Sequence, residues 1–137
     1  MVVDDEYTVG LLDTSVFIAQ ESGRGLETAS LPERSLVSVI TAAEIEAGIH
    51  TASNVEIRAQ RLLTYQSLMR LELLPVDRQA THQWAKLRVA VAQAGRRANI
   101  NDMWIAAIAL ARKIPVITQD DDFDVLASVS ELQVVKV

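Results

Sequence analysis

Val9-Gly10-Leu11-Leu12-Asp13-Thr14-Ser15 begins with four residues that carry no polar side chain and ends on an acid followed by two hydroxyls. An apolar run this short, halted by a polar turn, reads as a buried strand. Gly23 and Gly25 mark a loop beyond it. Leu36-Val37-Ser38-Val39-Ile40 is short and rich in β-branched residues, the mark of a second strand. Thr41-Ala42-Ala43-Glu44 follows in capping-box spacing and predicts a helix that Gly48 helps to end.

The same alternation continues down the chain. Over residues 54–70, Val55, Ala59, Leu62, Leu63 and Met69 keep helical spacing. Residues 71–76 are a candidate third strand. Asp77 then caps an amphipathic helix with Ala80, Trp84, Leu87, Val91 and Ala94 on one face. Gly95-Arg96-Arg97-Ala98-Asn99 reads as a loop. Asn101-Asp102 opens a helix, Met103 to Ala111, that is apolar all round and therefore expected to be buried on most sides. Residues 114–118 and 132–137 complete the predicted strands, with Gln119-Asp120-Asp121-Asp122-Phe123 after the first of these. Strands alternating with helices predict a single α/β domain over 1–137, with a central, mainly parallel sheet.

Bulk composition limits the chemistry. The 137 residues suit one domain, and the 50% hydrophobic content supports a sizeable core. With no cysteine, disulfides, thiolate metal sites and cysteine nucleophiles are all excluded. No apolar stretch approaches the roughly 20 residues of a membrane helix. The acidic N-terminus lacks the pattern of a signal peptide, so the expected location is the cytoplasm. His50 and His82, the two histidines, lie far apart and away from predicted strand ends, which argues against a histidine-pair nuclease. The net charge of −5 on its face argues against a nucleic-acid partner.

The acids stand at informative places. Asp13 ends the first strand, Glu44 lies just after the second, Asp102 opens the apolar helix, and Asp120 follows the fourth strand by one residue. Sites in open α/β sheets form outside the carboxyl ends of the strands, where strand order switches. Four carboxylates gathered there would oppose one another's ionisation, and a divalent cation resolves the conflict. Hard oxygen ligands select Mg²⁺ or Mn²⁺, which suits phosphodiester hydrolysis. Each acid also has a plain structural explanation. Glu44 is accounted for as the capping-box partner of Thr41, Asp102 as an acid favoured by the helix dipole, and the 120–122 acids as a solvated loop or a cap.

With its motifs in this order, the chain resembles the PIN domains, and among them the VapC-type toxins of bacterial toxin–antitoxin pairs. The resemblance rests on Leu11-Leu12-Asp13-Thr14-Ser15, on the stretch from Ser38 to Gly48, on Asn101-Asp102-Met103-Trp104-Ile105-Ala106-Ala107, and on Pro115-Val116-Ile117-Thr118-Gln119-Asp120-Asp121-Asp122-Phe123. It implies an α/β/α sandwich and an Mg²⁺- or Mn²⁺-dependent endoribonuclease that blocks translation and growth. By the same resemblance Asp13, Glu44, Asp102 and Asp120 are the catalytic and metal-binding acids. Asp122 competes with Asp120 for the fourth place, and Thr14 and Thr118 orient the acids. It further implies a homodimer, a VapB-type antitoxin, and structured RNA such as tRNA or rRNA as substrate.

Four clustered acids account for much of the negative charge. Arg96 and Arg97, just before Asp102, either contact the substrate backbone or form an exposed basic turn. Arg58, Arg61, Lys86 and Arg88 read as solvated helix charges. Trp84 and Trp104 read as core or dimer packing rather than as base-stacking platforms. Two rival readings have testable signatures. One is a non-catalytic PIN-like scaffold that binds RNA or protein. The other is a signalling receiver domain, suggested by Val2-Val3-Asp4-Asp5-Glu6 but lacking an aspartate at the end of a middle strand.

Overall fold

The computed structural model describes residues 8–137. Its elements run β1 (Val9–Leu12), α1 (Thr14–Ser22), a 3₁₀ turn (Thr28–Ser30), β2 (Arg34–Ser38), α2 (Val39–His50), α3 (Val55–Leu68), β3 (Glu72–Leu74), α4 (Arg78–Gln93), α5 (Ile100–Arg112), β4 (Val116–Thr118), α6 (Asp124–Ser128) and β5 (Val134–Lys136). The strands form one parallel sheet in the order β3-β2-β1-β4-β5. A receiver domain needs the order 2-1-3-4-5, so that rival fails on topology. The residues that prompted it, Val2 to Glu6, lie outside the described residues.

The three inner strands, β1, β2 and β4, are covered on both sides, so their consecutive residues serve opposite cores. Leu11, Leu36 and Val116 pack with α4, α5 and α6. Leu12, Val37 and Ile117 pack with α1, α2 and α3. The result is the expected α/β/α sandwich. The apolar helix α5 is buried as its sequence requires, with Ile105 to Ala109 each 1% exposed or less. Trp84 of α4 stacks on Trp104 of α5, ring centroids 4.8 Å apart, which fits a packing role. Gly10 is required by close approach: a Cβ there would stand 2.8 Å from Ile117 Cγ1 and 3.2 Å from Pro32 Cγ.

Several local expectations need correction. Helix α1 was not evident, because Val16-Phe17-Ile18-Ala19 carries no helical period. Asp13 nonetheless caps it, its carboxylate accepting from Ser15 N. Strand β2 ends at Ser38, and Val39 and Ile40 already belong to α2. Ser38, not Thr41, is the cap, with its Oγ accepting from Thr41 N at 3.1 Å. A good N-cap here overrides the β preference of two branched residues. Gly48 sits inside α2, which runs on to His50. Ala94 lies just past the end of α4 and is exposed.

The apolar stripe on α3 faces outward, with Val55 77%, Leu63 67%, Met69 47% and Leu62 43% exposed. The helix docks by Tyr65 and Leu68 and by polar ties instead. Gln60 donates to Glu21 O, Thr64 to Glu21 Oε1, and Arg61 to Gly48 O at 2.6 Å. Arg61 is therefore a structural anchor rather than a merely solvated charge.

Candidate active site

In the order 3-2-1-4-5 the chain leaves β1 in one direction for β2 and in the other for β4. The switch point lies between β1 and β4, and the acids gather outside it. Asp13 directly follows β1, and Asp120 and Asp122 follow β4. Asp102 stands in the first turn of α5, behind its cap Asn99, whose Oδ1 accepts from Asn101 N and Asp102 N. Glu44 projects from the second turn of α2 rather than the first, a consequence of the earlier cap at Ser38. Asp13, Glu44, Asp102, Asp120 and Asp122 line one cavity of about 320 Å³, together with Thr14, Ser15, Arg24 and Asn99.

Hydroxyls organise the buried end of this cavity. Asp13 is 3% exposed. Thr118 Oγ1 donates to its Oδ2 at 3.0 Å, and Ser15 N donates to the same oxygen at 3.3 Å. Because the Thr118 proton is committed to Asp13, the 3.1 Å contact between Ser15 Oγ and Thr118 Oγ1 has serine as donor. Ser15 Oγ accepts from Gln119 N, and Thr118 Oγ1 accepts from Asp120 N, both at 3.0 Å. A chain of bonds thus runs from the loop after β4 through Ser15 and Thr118 to Asp13. Such chains polarise one another in a low-dielectric site.

Glu44 has its own pair of donors. Thr14 Oγ1 donates to Oε1 at 2.6 Å and Asn101 Nδ2 to Oε2 at 3.2 Å. These bonds join α1, α2 and α5 at a single carboxylate. Thr14 thus hydrogen-bonds Glu44, and Thr118 hydrogen-bonds Asp13. Ser15, Asn99, Asn101 and Arg24 join the site without having been singled out as site residues. One local signal was available: Asn99 three residues before Asp102 is N-cap spacing.

The electrostatics follow from this crowding. Burial raises the pKa of Asp13, and its hydrogen bonds from Ser15 and Thr118 oppose the rise. Asp102 is pushed up to about 7, first by burial and then by the charges of Asp13, Asp122, Glu44 and Asp120 in that order. Asp122 therefore acts on Asp102 more strongly than Asp120 does.

Among the described residues no three acids already form a closed ligand cage. An open arrangement still fits Mg²⁺ or Mn²⁺. Mg²⁺ keeps several waters and takes one or two carboxylates plus substrate oxygens, and every side-chain donor here is a hard oxygen. The strained ionisation of Asp102 is the charge imbalance that a bound dication would relieve. His50 and His82 are both exposed and stand on α2 and α4, away from this cavity.

Comparison with known proteins agrees with the architecture. The PIN domain family model matches residues 10–129. The chain is 51% identical to Ribonuclease VapC5 of Mycobacterium tuberculosis over 128 residues, 93% of this chain and 95% of that one. It is 39% identical to Ribonuclease VapC4 of the same organism, over 90% of this chain and 95% of that protein. The crystal structure of VapBC-5 from M. tuberculosis superposes with a TM-score of 0.88 at 48% identity, covering 95% of this chain and 99% of that chain. VapBC-1 from nontypeable Haemophilus influenzae matches with a TM-score of 0.76 at 27% identity, over 93% of this chain and 97% of that one. The chain belongs to the PIN domain family and, within it, to the VapC proteins.

Proposed function

We propose that this protein is a divalent-metal-dependent endoribonuclease and the toxin of a VapBC-type pair, with Asp13, Glu44, Asp102 and Asp120 as its catalytic and metal-binding acids and Asp122 assisting. The observation that carries this reading is the convergence of five acids from four separate segments on one cavity at the sheet's switch point. The names of the VapC relatives support ribonuclease activity. VapBC complexes among the structural matches support a VapB-type antitoxin.

Bound Mg²⁺ or Mn²⁺ supplies positive charge to activate a water and to stabilise the leaving oxygen at phosphorus. The chain's own groups do the positioning. Asp13, clamped by Thr118 and Ser15, is the fixed reference of the site. Glu44, held between Thr14 and Asn101, keeps both oxygens directed by donors from two helices. Asp102 and Asp120 complete the oxygen donor set, Asp102 from a helix N-terminus whose dipole favours an acid.

The proposed substrate is a structured RNA such as tRNA or rRNA, whose cleavage would stop translation and growth. The proposed setting is the cytoplasm, and no helix among the described residues is long and apolar enough to cross a membrane. The proposed assembly is a homodimer that forms a larger complex with the antitoxin. The exposed apolar side of α3 is the kind of surface such partners cover.

The test is brief induction in cells followed by mapping of new RNA ends, with Asp13→Asn as control. Discrete cleavage sites that depend on Asp13 are expected, together with growth arrest. The same RNA ends from parent and Asp13→Asn, or none from either, would favour the non-catalytic scaffold.

A further inference from the structure

We propose that Arg96 and Arg97 bind the phosphate backbone of the RNA strand next to the bond being cleaved, which makes the α4–α5 loop the substrate-gripping wall of the site. This inference rests on the ribonuclease reading above. The carboxylate cavity adjoins a second cavity of about 490 Å³. Asn99, Asp102 and Asp122 line both, and Arg96 and Arg97 line the second. A strand with its scissile phosphate at the acids therefore has its neighbouring phosphates within the arginine compartment.

The loop is built to hold the backbone of these two residues in place. At its start, Gly95 adopts φ +67°, a left-handed turn that glycine favours. Arg96 N then donates back to Val91 O and Gly95 N to Ala92 O, which closes the end of α4. At the far end Asn99 caps α5, and between them Ala98 packs against the main core. Two exposed arginines thus stand on a five-residue loop tied at both ends and in its middle. Little backbone entropy remains to be lost when a ligand binds.

Asp121, Asp122 and Asp124 form the acidic wall of the second cavity, and they would be natural partners for the arginines. Instead Lys136, at the end of β5, donates to both Asp121 and Asp124, the latter at 3.0 Å. Asp122 is shared with the carboxylate centre. Among the described residues neither Arg96 nor Arg97 has an ion-pair or side-chain hydrogen-bond partner. Two guanidinium groups without partners, beside a centre suited to phosphodiesters, match the phosphates that flank the scissile one.

The test is binding of a fluorescein-labelled 20-nucleotide single-stranded RNA of mixed sequence, read by anisotropy with Ca²⁺ replacing Mg²⁺ across a range of salt. Each phosphate contact on single-stranded nucleic acid contributes about 0.7 to the slope of log K against log salt. Arg96→Gln with Arg97→Gln should therefore flatten the slope by about 1.4 and weaken binding roughly tenfold at low salt. Arg96→Lys with Arg97→Lys should restore most of the slope, since point charges suffice for counterion release. Arg58→Gln with Arg88→Gln removes the same charge from α3 and α4, outside both cavities, and should change the slope little. An unchanged slope in the Arg96/Arg97 variant, or an equal loss in the Arg58/Arg88 variant, overturns the assignment, even if the former variant loses affinity for a protein partner. A parent protein that binds only unfractionated tRNA and not this strand overturns the assignment, and one that binds neither overturns the ribonuclease reading as well.

Discussion

Thr118 Oγ1 donates to Asp13 Oδ2 at 3.0 Å, a bond between residues 105 apart in sequence that joins the ends of β4 and β1. Thr118 Oγ1 also accepts from Asp120 N and lies 3.1 Å from Ser15 Oγ. One hydroxyl thus organises two of the proposed catalytic acids. Thr118→Val keeps the shape and deletes the oxygen. It should destabilise the protein by about 1–3 kcal/mol, because buried polar partners lose their bonds. It should also lower cleavage, and Thr118→Ser should recover most of both. Thermal melts and an RNA cleavage assay decide this, and a Thr118→Val protein with parental stability and rate would contradict it.

Asp13 caps α1 as well as lining the cavity. Asparagine caps a helix about as well as aspartate, whereas alanine costs about 1 kcal/mol at such a position. Burial also disfavours the charged form of Asp13, a cost that asparagine does not carry. Asp13→Asn should therefore be inactive yet at least as stable as the parent without metal, and Asp13→Ala should be both inactive and less stable. Melting temperatures of the three metal-free proteins give the order directly.

Asp102 makes stability depend on pH. Its carboxyl titrates near 7 in the fold, against an ordinary value of 3.8. Between these values the folded state binds more protons than the unfolded state, so stability falls as pH rises from about 4 to about 7. The contribution is fully present below pH 4 and lost above pH 7. Metal-free parent protein should melt at progressively lower temperature across that window, and Asp102→Asn should flatten the trend. Equal slopes in the two proteins would show that the crowding at Asp102 is relieved in solution.

A bound dication acts in the opposite sense. A ligand that prefers the native state stabilises it as RT ln(1 + [L]/Kd). Mg²⁺ or Mn²⁺ should raise the melting temperature more at pH 7.5 than at pH 5, where protons compete for the same carboxylates. Asp102→Asn should weaken the response. No rise at concentrations that support cleavage would count against a carboxylate metal centre.

The end groups of the products report the chemistry. Attack by the neighbouring 2′-OH leaves a 2′,3′-cyclic phosphate and usually relies on general acid–base groups such as a histidine pair, which His50 and His82 do not form in this cavity. Attack by water leaves a 5′-phosphate and a 3′-OH, and the 2′-OH serves only recognition. Mass spectrometry of the fragments should show 5′-phosphates, and a single 2′-deoxy nucleotide at the cut should still permit cleavage. Cyclic phosphate ends with a resistant deoxy substrate would exclude the water route.

Local features are legible in one dimension. Short apolar runs at 9–12 and 114–118 announce strands, Asp77 announces a cap, and acids stand just beyond the apolar elements. These patterns depend on neighbours a few residues apart, which is why they are legible in one dimension. Where two local preferences compete, long-range contacts settle the outcome. Val39 and Ile40 favour a strand, yet Ser38 caps a helix there and carries Glu44 into the second turn. The apolar side of α3 looks like core, yet Glu21 and Gly48 bind the other side and turn it outward. The contacts within the site are a product of the third dimension. Asn101 reaches Glu44 across 57 residues, and Thr118 reaches Asp13 across 105. Asp122 outweighs Asp120 at Asp102. The pairing of Lys136 with Asp121 and Asp124, which leaves Arg96 and Arg97 for another anion, comes from the last strand. Coulomb energies and hydrogen bonds depend on distances in space, and the parallel order 3-2-1-4-5 sets those distances.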